Sequence, residues 1–172
     1  MDRLWSPWRY RYVSSDVQPK ECVFCAKAHE SDSDGLILFR GRHNFVLLNL
    51  YPYTTGHLLV VPHAHLANLE DLPEETAVEM LALTRRAVLA LKRVYKPEGL
   101  NVGLNLGQCA GAGIADHLHL HVLPRWTGDA NFLSTIGETR VLPEDLGETW
   151  RKLSAAFRVV VAEETPTPRS GT

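Results

Sequence analysis

The stretch His117-Leu118-His119-Leu120-His121-Val122-Leu123 contains three histidines that alternate strictly with apolar residues. Successive side chains of a β-strand point to opposite faces of its sheet, so the alternation predicts three imidazoles on one face and apolar groups on the other. A helix would scatter the same residues around its axis. Successive imidazoles on a strand would lie roughly 6.5–7 Å apart. A single histidine commonly fills a polar position without doing chemistry, but three in register indicate a chemical site.

Length and composition bound the class of protein. The 172 residues are 45% hydrophobic, which suits one domain with a sizeable core. A net charge of -2 argues against binding to nucleic acid or to an anionic membrane. The sequence has neither a run of about 18 apolar residues nor a signal-peptide core at its beginning. The three cysteines, two of them in Cys22-Val23-Phe24-Cys25, favour a reducing compartment, so we predict a cytoplasmic protein.

Hydrophobic periodicity predicts an α+β fold, in which an antiparallel five-stranded sheet packs with one long helix and a C-terminal helix. The long helix is predicted to begin with Asp71 as its N-cap and to end before Pro97. The strands are expected in hairpin order over residues 36–39, 44–50, 57–62, 100–106 and 117–123, and the last helix over residues 143–157.

Both ends of the chain differ from the middle in amino-acid composition. Residues 1–20 carry four aromatic side chains among arginines, which is too aromatic for a disordered leader, and we predict an arm that packs across the domain or onto a partner subunit. Residues 1–160 are predicted to form a single domain. Residues 161–172 are predicted to be a disordered tail because residues 165–172 are polar and contain prolines.

Several motifs together resemble the histidine triad superfamily of nucleotide hydrolases and transferases. The three alternating histidines are its signature, and Asn49, the strand 57–62 and Asn105-Leu106-Gly107 match further family motifs. The stretches 111–116 and 124–132 are most similar to bacterial members near the fragile-histidine-triad and diadenosine tetraphosphate phosphorylase branches. The resemblance covers most of the chain and implies a HIT-like fold and a small-molecule nucleotide substrate.

The resemblance also implies residue roles. His119 matches the family's nucleophile, which attacks the α-phosphate of a nucleotide, and His117 and His121 complete the catalytic triad. The residues expected to contact ribose or phosphate are Asn49, His57, Asn105, Gly107, Gly111, Gly113 and Ile114.

The chemistry of the residues agrees with these roles. A neutral imidazole is a good nucleophile near neutral pH, and it splits a difficult displacement into two easier steps through a covalent intermediate. The glycine-rich loop over residues 107–115 has the conformational freedom to turn backbone N–H groups toward an anion. By itself the same loop is equally an ordinary connection between two strands.

A metal site is the second predicted constellation. Cys22 and Cys25 supply half of a tetrahedral zinc site by their spacing. The resemblance implies that His65 and His117 complete a structural zinc site, since related bacterial members use the matching positions. A buried pair of reduced thiols and a redox pair are the other interpretations of the cysteines. His63 is a second candidate ligand, although an extended chain would point it away from His65.

Two classes of function follow from the sequence. The first is an enzyme that cleaves a P–O–P bond of an adenine nucleotide through an AMP-His119 intermediate, by hydrolysis or phosphorolysis. The second is a nucleotide-binding regulator with negligible turnover. We also predict a homodimer, because the apolar arc of the long helix is wider than one sheet face needs and the strand over residues 100–106 is apolar.

Overall fold

The computed structural model describes residues 21–136 and 142–164, which contain four α-helices and five strands. A short 3-10 helix over Gln108–Ala110 lies between the fourth and fifth strands. The elements are α1 (Val23–His29), β1 (Ile37–Arg40), β2 (Asn44–Leu48), β3 (Leu58–Pro62), α2 (Glu74–Tyr95), β4 (Gly99–Leu104), β5 (Leu120–Arg125), α3 (Phe132–Thr135) and α4 (Leu146–Glu164).

The five strands form one antiparallel sheet in the order β1-β2-β3-β5-β4. The predicted fold class is confirmed, with α2 as the long helix and α4 as the C-terminal helix. The predicted hairpin order is wrong at one point. After α2 the chain enters the sheet at its edge, so β5 lies beside β3 and β4 becomes an edge strand.

Apolar side chains cover both faces of the sheet. On one face Leu58, Val60 and Val122 pack with α2 and α4 in the main core. On the other face Leu59 and Val61 pack with α1 in a smaller cluster. Because β2 and β3 are covered on both faces, every residue of these strands is buried, and nearly all of them are apolar.

The triad stretch is only partly a strand. The paired strand begins at Leu120, so His117 and His119 lie in the segment before it. In that segment the backbone N–H of Leu118 donates to the carbonyl of Leu66, which lies beyond β3. The predicted alternation nevertheless holds, since Leu118 packs in the main core while His119 packs against Phe24 on the opposite face.

The long helix differs from its prediction at the start. Asp71 is not the N-cap, because α2 begins at Glu74 after Pro73, whose missing N–H and fixed φ suit a helix start. The carboxylate of Asp71 instead accepts a hydrogen bond from Asn68. The helix ends at Tyr95, as predicted, and Lys96 adopts a left-handed conformation with φ 46°.

The C-terminal helix is longer than predicted. It begins at Leu146 and runs to Glu164, so residues 161–164 of the predicted tail are helical. Two of these residues hold the helix to α2, since Glu164 pairs with Arg85 and Arg86 and Glu163 pairs with Arg93. The predicted arm over residues 1–20 and the rest of the tail lie outside the described residues. In the described part of the chain, no helix is long and apolar enough to cross a membrane.

Candidate active site and metal cluster

The three histidines of the triad line one face of the sheet, and all are buried. The ring centroids of His119 and His121 are 4.9 Å apart in an edge-on arrangement. His57, the residue before β3, joins them because β3 and β5 are neighbours, and its ring lies 5.1 Å from that of His121. The sheet thus brings together residues that are 64 positions apart in the sequence.

Hydrogen bonds fix the proton positions of His57 and His121. The backbone N–H of Tyr53 donates to Nδ1 of His57 at 3.1 Å, so the proton of the neutral imidazole sits on Nε2. That Nε2 lies 2.9 Å from Nδ1 of His121, to which it donates. His121 therefore carries its own proton on Nε2. Nδ2 of Asn105 lies 3.4 Å from this Nε2 and is also a donor, so the two groups present neighbouring donors rather than a hydrogen bond to each other.

His119 has the opposite tautomer. Its Nδ1 lies 2.8 Å from the carbonyl oxygen of His117, and since a carbonyl only accepts, Nδ1 carries the proton. The lone pair of the neutral ring is then on Nε2, the atom that faces away from this bond. Of the three triad imidazoles, His119 alone combines a fixed Nδ1–H with an Nε2 lone pair on the site face, which is the arrangement that an attacking nitrogen needs.

Burial keeps these imidazoles neutral. It lowers the pKa of His119 below the usual value, although the bond to the His117 carbonyl opposes the shift. Burial also lowers the pKa of His121 to about 4, with a further contribution from the charge that His119 would carry. Both rings are therefore uncharged at neutral pH, and the donor and acceptor pattern described above is the dominant one.

Two of the predicted nucleotide-binding residues, Asn49 and Asn105, contact histidines of the site. Asn49 Nδ2 lies 3.3 Å from Nδ1 of His57, and its Oδ1 accepts from the N–H of Tyr51. The glycine-rich loop follows β4, and Ile114 packs against the small cluster that contains Phe24. Gly107 and Gly111 have positive φ of 79° and 98°, which favours glycine at both positions.

The glycine-rich loop uses some of its donors internally. The N–H of Gly111 donates to Gln108 and that of Ala112 donates to Gly107. In this conformation these two groups are occupied inside the loop, so an anion would have to be bound by other N–H groups of the segment or after the loop rearranges. The exposed Gly113 needs no unusual backbone angle.

Four side chains meet on the same sheet face where α1 crosses it, and we call them the metal cluster. They are Cys22, Cys25, His65 and His117, and their ligand atoms all lie within 4.8 Å of one another. Nδ1 of His117 is 3.2 Å from Sγ of Cys22 and 3.7 Å from Sγ of Cys25. Nδ1 of His65 is 3.4 Å from Sγ of Cys25.

These distances fit a zinc ion. Tetrahedral zinc with bonds of ~2.3 Å to sulfur and ~2.0–2.1 Å to nitrogen holds its ligand atoms roughly 3.3–3.8 Å apart. The surroundings of the cluster also fit, because Nε2 of His117 donates to the carbonyl of Pro62 at 2.9 Å and leaves Nδ1 able to bind a metal. The donor set of two thiols and two imidazoles is typical of structural zinc.

The remaining histidines and cysteine lie apart from the cluster. His63 stacks on Phe45 and its Nε2 lies 3.3 Å from the carbonyl of Gly41, so it points away from the cysteines. His29 is exposed, His43 is half-buried, and Cys109 is exposed in the glycine-rich loop. Cys22 caps α1, but among the described residues no strand precedes it, so the context of a thioredoxin-like motif is missing.

Two site residues have no motif in the sequence that would single them out. Phe24, between the two cysteines, packs its ring 5.4 Å from that of His117 and 5.0 Å from that of His119. Tyr53 lies 4.8 Å from the ring of His57 and contributes the N–H that fixes its tautomer. The only sequence feature that could indicate Phe24 is its place between two cysteines at the start of a helix.

Known proteins resemble this chain in sequence and in structure. Residues 30–128 match the HIT domain family. A protein of Mycobacterium tuberculosis named AP-4-A phosphorylase is 43% identical over 166 residues, which cover 91% of this chain and 85% of that protein. A zinc-bound histidine triad family protein from Mycobacterium smegmatis superimposes with a TM-score of 0.68 at 30% identity, over 84% of this chain and 98% of that one.

A third relative comes from Sulfolobus tokodaii. A hypothetical histidine triad nucleotide-binding protein of that organism superimposes with a TM-score of 0.62 at 27% identity, over 83% of this chain and 93% of that one. The family match covers more than half of the chain and contains all three histidines of the triad. This chain is a member of the histidine triad (HIT) family.

Proposed function

We propose that this protein cleaves a P–O–P bond of an adenine nucleotide such as a diadenosine polyphosphate, through a covalent AMP-His119 intermediate. The observation that carries the proposal is the tautomer of His119, whose Nδ1–H is held by the His117 carbonyl so that Nε2 keeps its lone pair. The 43% identity to a protein named AP-4-A phosphorylase supports the same reaction class.

The first step is a displacement at the α-phosphorus. Nε2 of His119 forms the N–P bond while the bond from phosphorus to the bridging oxygen breaks, and its electron pair leaves with the nucleoside polyphosphate. In this mechanism the Nε2–H of His121 donates to a phosphate or leaving oxygen, and the hydrogen bond from His57 supports this proton position. A polyphosphate is a good leaving group, so no stronger acid is needed.

The second step resolves the intermediate. Water or inorganic phosphate attacks the phosphorus while the N–P bond breaks, and its electron pair returns to His119; when water attacks, it releases a proton to solvent. Water releases AMP, whereas phosphate releases ADP. Incubation with diadenosine tetraphosphate, with and without inorganic phosphate, tests the proposal: AMP with ATP indicates hydrolysis, ADP with ATP indicates phosphorolysis, and no cleavage in either buffer refutes both.

A nucleotide-binding regulator with negligible turnover is the second candidate. Calorimetry with AMP beside the cleavage assay separates the two, because the regulator binds without releasing product. The neutral, buried imidazole of His119 with its lone pair on Nε2 favours the enzyme, since binding alone does not require a nucleophile.

The metal cluster is proposed to hold a structural zinc ion through Cys22, Cys25, His65 and His117. The ion would tie α1 to the sheet and fix the ring of His117, whose carbonyl orients His119. The zinc-bound histidine triad family protein of Mycobacterium smegmatis supports this assignment, because it shares the fold at 30% identity. Free thiols at the cluster also fit the predicted cytoplasmic location.

We further propose a homodimer of single HIT-like domains over residues 1–160. β4 is an edge strand, Val102 in it is 50% exposed, and Val78 and Leu81 of α2 are exposed as well. An apolar edge strand is a template for pairing with a second copy of itself.

A further inference from the structure

The cysteines of the metal cluster can undergo a reaction that the proposed function does not use. Cys22 and Cys25 are free thiols, both half-buried, and their sulfur atoms lie within 4.8 Å of each other. The neighbouring ligand His65 is exposed, so the cluster has an outward side that is open to small solutes. The third cysteine of the chain, Cys109, lies apart in the glycine-rich loop.

The local geometry suits a disulfide between Cys22 and Cys25. Cys22 is the N-cap of α1, and its carbonyl accepts the N–H of Ala26 at 2.9 Å, so both cysteines belong to the first turn of the helix. A disulfide needs Cα atoms about 4.4–6.8 Å apart, a separation that one helical turn provides. Bringing the sulfurs to roughly 2.05 Å then requires side-chain rotation at the start of α1, without movement of the sheet.

The reaction requires a two-electron oxidant, for which hydrogen peroxide is the simplest choice. One cysteine thiolate attacks a peroxide oxygen, the O–O bond breaks, and the departing oxygen takes a proton from solvent and leaves as water. The sulfenic acid that remains is attacked at sulfur by the second thiolate. The S–S bond forms while the S–O bond breaks, and this oxygen also leaves as water after protonation. Two thiols are thus oxidised and one peroxide is reduced.

A disulfide would remove two of the four proposed zinc ligands, because the thiolate is the form of cysteine that binds a metal. The imidazoles of His65 and His117 are too few to retain zinc in a structural site. His117 would keep the hydrogen bond from its Nε2 to the Pro62 carbonyl, but its Nδ1 would lose the link to α1. Oxidation therefore separates the start of α1 from the sheet.

The start of α1 is the part that covers the candidate nucleophile. At the other end of the helix, Arg40 donates to the carbonyls of Ala28 at 2.5 Å and Glu30 at 2.7 Å, which keeps that end on the sheet. Phe24 is the only buried side chain of α1, and its ring packs 5.0 Å from that of His119. A looser start of α1 would weaken this contact and with it the alignment of Nε2 of His119.

We propose that oxidation of Cys22 and Cys25 to a disulfide, with loss of zinc, is a reversible switch that turns off nucleotide cleavage. The inference rests on the proposed function and adds its regulation. In the reduced protein α1 is held against the ring of His119 and cleavage proceeds. In the oxidised protein this support is lost, and a dithiol reductant together with zinc restores it.

The test uses Cys109→Ser, in which Cys22 and Cys25 are the only cysteines, treated with hydrogen peroxide. We expect the peptide that contains both residues to lose two hydrogen atoms by mass spectrometry, and zinc to pass to a coloured chelator. The kcat for diadenosine tetraphosphate should fall about ten- to hundredfold, the usual effect of removing the groups that support a site. Dithiothreitol with zinc should restore the zinc content and kcat.

Nitrogen-15 NMR of the imidazoles distinguishes a loss of position from a loss of fold. The Nδ1–H of His119 donates to the His117 carbonyl, and its signal should disappear through exchange with solvent after oxidation. The Nε2–H of His57 should keep its signal, because it is held by Tyr53 and His121 rather than by α1. Loss of both signals would indicate general unfolding and would overturn the switch.

Cys22→Asp in the Cys109→Ser protein is the matched control, since a carboxylate can bind zinc but cannot form a disulfide. Whatever their starting values, its zinc content and kcat should not change on the same treatment. Failure of the disulfide to form, an unchanged kcat in oxidised Cys109→Ser, or an equal loss in the Cys22→Asp variant would overturn the switch. An untreated protein that cleaves no nucleotide refutes the proposed function, and zinc release and the His119 signal then decide the switch on their own.

Discussion

His117 connects the metal cluster with the candidate nucleophile. Its Nδ1 faces the thiols of Cys22 and Cys25, its Nε2–H donates to the carbonyl of Pro62, and its own carbonyl accepts the Nδ1–H of His119. One residue thus has a separate partner for each of three polar groups. A shift of His117 would remove the acceptor that sets the tautomer of His119, so we expect the cluster to affect catalysis only through the position of His119.

Replacement of His119 is the direct test of the nucleophile. We expect His119→Ala and His119→Asn to lower kcat by about ten-thousandfold or more, because the remaining histidines of the triad do not place a neutral nitrogen lone pair at the same point. Nucleotide binding should persist, since His57, His121 and Asn105 remain. The measurements are AMP or ADP release and calorimetry with AMP.

His29→Asn is the control, because His29 is exposed on α1 and should be replaceable without effect. Brief incubation of the natural protein with labelled diadenosine tetraphosphate, followed by denaturation, should leave an acid-labile AMP adduct that both His119 variants lack. Substantial turnover in either variant would exclude His119 as the nucleophile.

We expect the stability of α1 to depend on the metal cluster. Its seven residues are too few for a helix that is stable alone, and Phe24 is its only buried side chain. We expect Cys22→Ser to lose most of the bound zinc and to lower the melting temperature by roughly 2–8 °C, corresponding to about 1–2 kcal/mol in a domain of this size.

Cys109→Ser is the matched control, since Cys109 is an exposed thiol outside the cluster. It should keep both its zinc content and its melting temperature. Elemental analysis of protein purified without chelator gives the reference value, and an absence of zinc from the natural protein would leave Cys22 and Cys25 as a plain reduced pair.

The turn between β1 and β2 is held by a carboxylate from α2. Glu79 accepts hydrogen bonds at 2.7 Å from the backbone N–H groups of Arg42, His43 and Asn44, and at 2.9 Å from the Asn44 side chain. Burial alone would raise the pKa of Glu79, but these hydrogen bonds outweigh it and hold the pKa below the usual 4.5. Glu79 therefore stabilises the folded state as a charged group.

We expect Glu79→Gln to lower the free energy of unfolding by about 1–3 kcal/mol at pH 7, the size of a hydrogen-bond network to a charged group. A carboxyl group whose pKa is lower in the folded state than in the unfolded state contributes stability at pH values above the unfolded pKa. This contribution is lost as the pH falls through the folded pKa. The difference in the free energy of unfolding between the natural protein and Glu79→Gln should thus shrink below about pH 4 in urea titrations.

Glu75→Gln, exposed on the same helix, is the control and should change the free energy of unfolding little. A constant difference from pH 7 to pH 3 would contradict the role of the charge.

The parts of the structure differ in how well the sequence predicts them. The triad and the cysteine pair are visible because chemistry requires particular residues at short spacing, and α2 because its periodicity is long. Glu79 has no such signal, because a glutamate in a helix resembles any solvated residue until the turn it binds is known. Asp71 and Glu74 imitate a capping box and so predict a start of α2 at Asp71, whereas Pro73 sets the actual start.

In a single chain, apolar surface on α2 and β4 is left uncovered. Val78 and Leu81 of α2 are 65% and 70% exposed, as expected from an apolar arc that is wider than its sheet face. In β4, Val102 is 50% exposed, whereas Leu104 packs partly against the main core. A charge at Leu104 would therefore disturb folding as well as association, and Val102 is the cleaner position for a test.

The homodimer prediction is tested by charge at the edge strand. If β4 pairs with its copy across a two-fold axis, each Val102 lies near the interface, and Val102→Lys buries two like charges close together. We expect light scattering at micromolar concentration to give twice the 19.3 kDa chain mass for the natural protein and a single chain mass for Val102→Lys. Val159→Lys, at an exposed apolar position of α4, is the control and should remain a dimer.

A single chain mass for the natural protein would refute the dimer. A dimer that survives Val102→Lys would instead place the interface on the exposed face of α2, where Leu81→Lys is the variant that should split it.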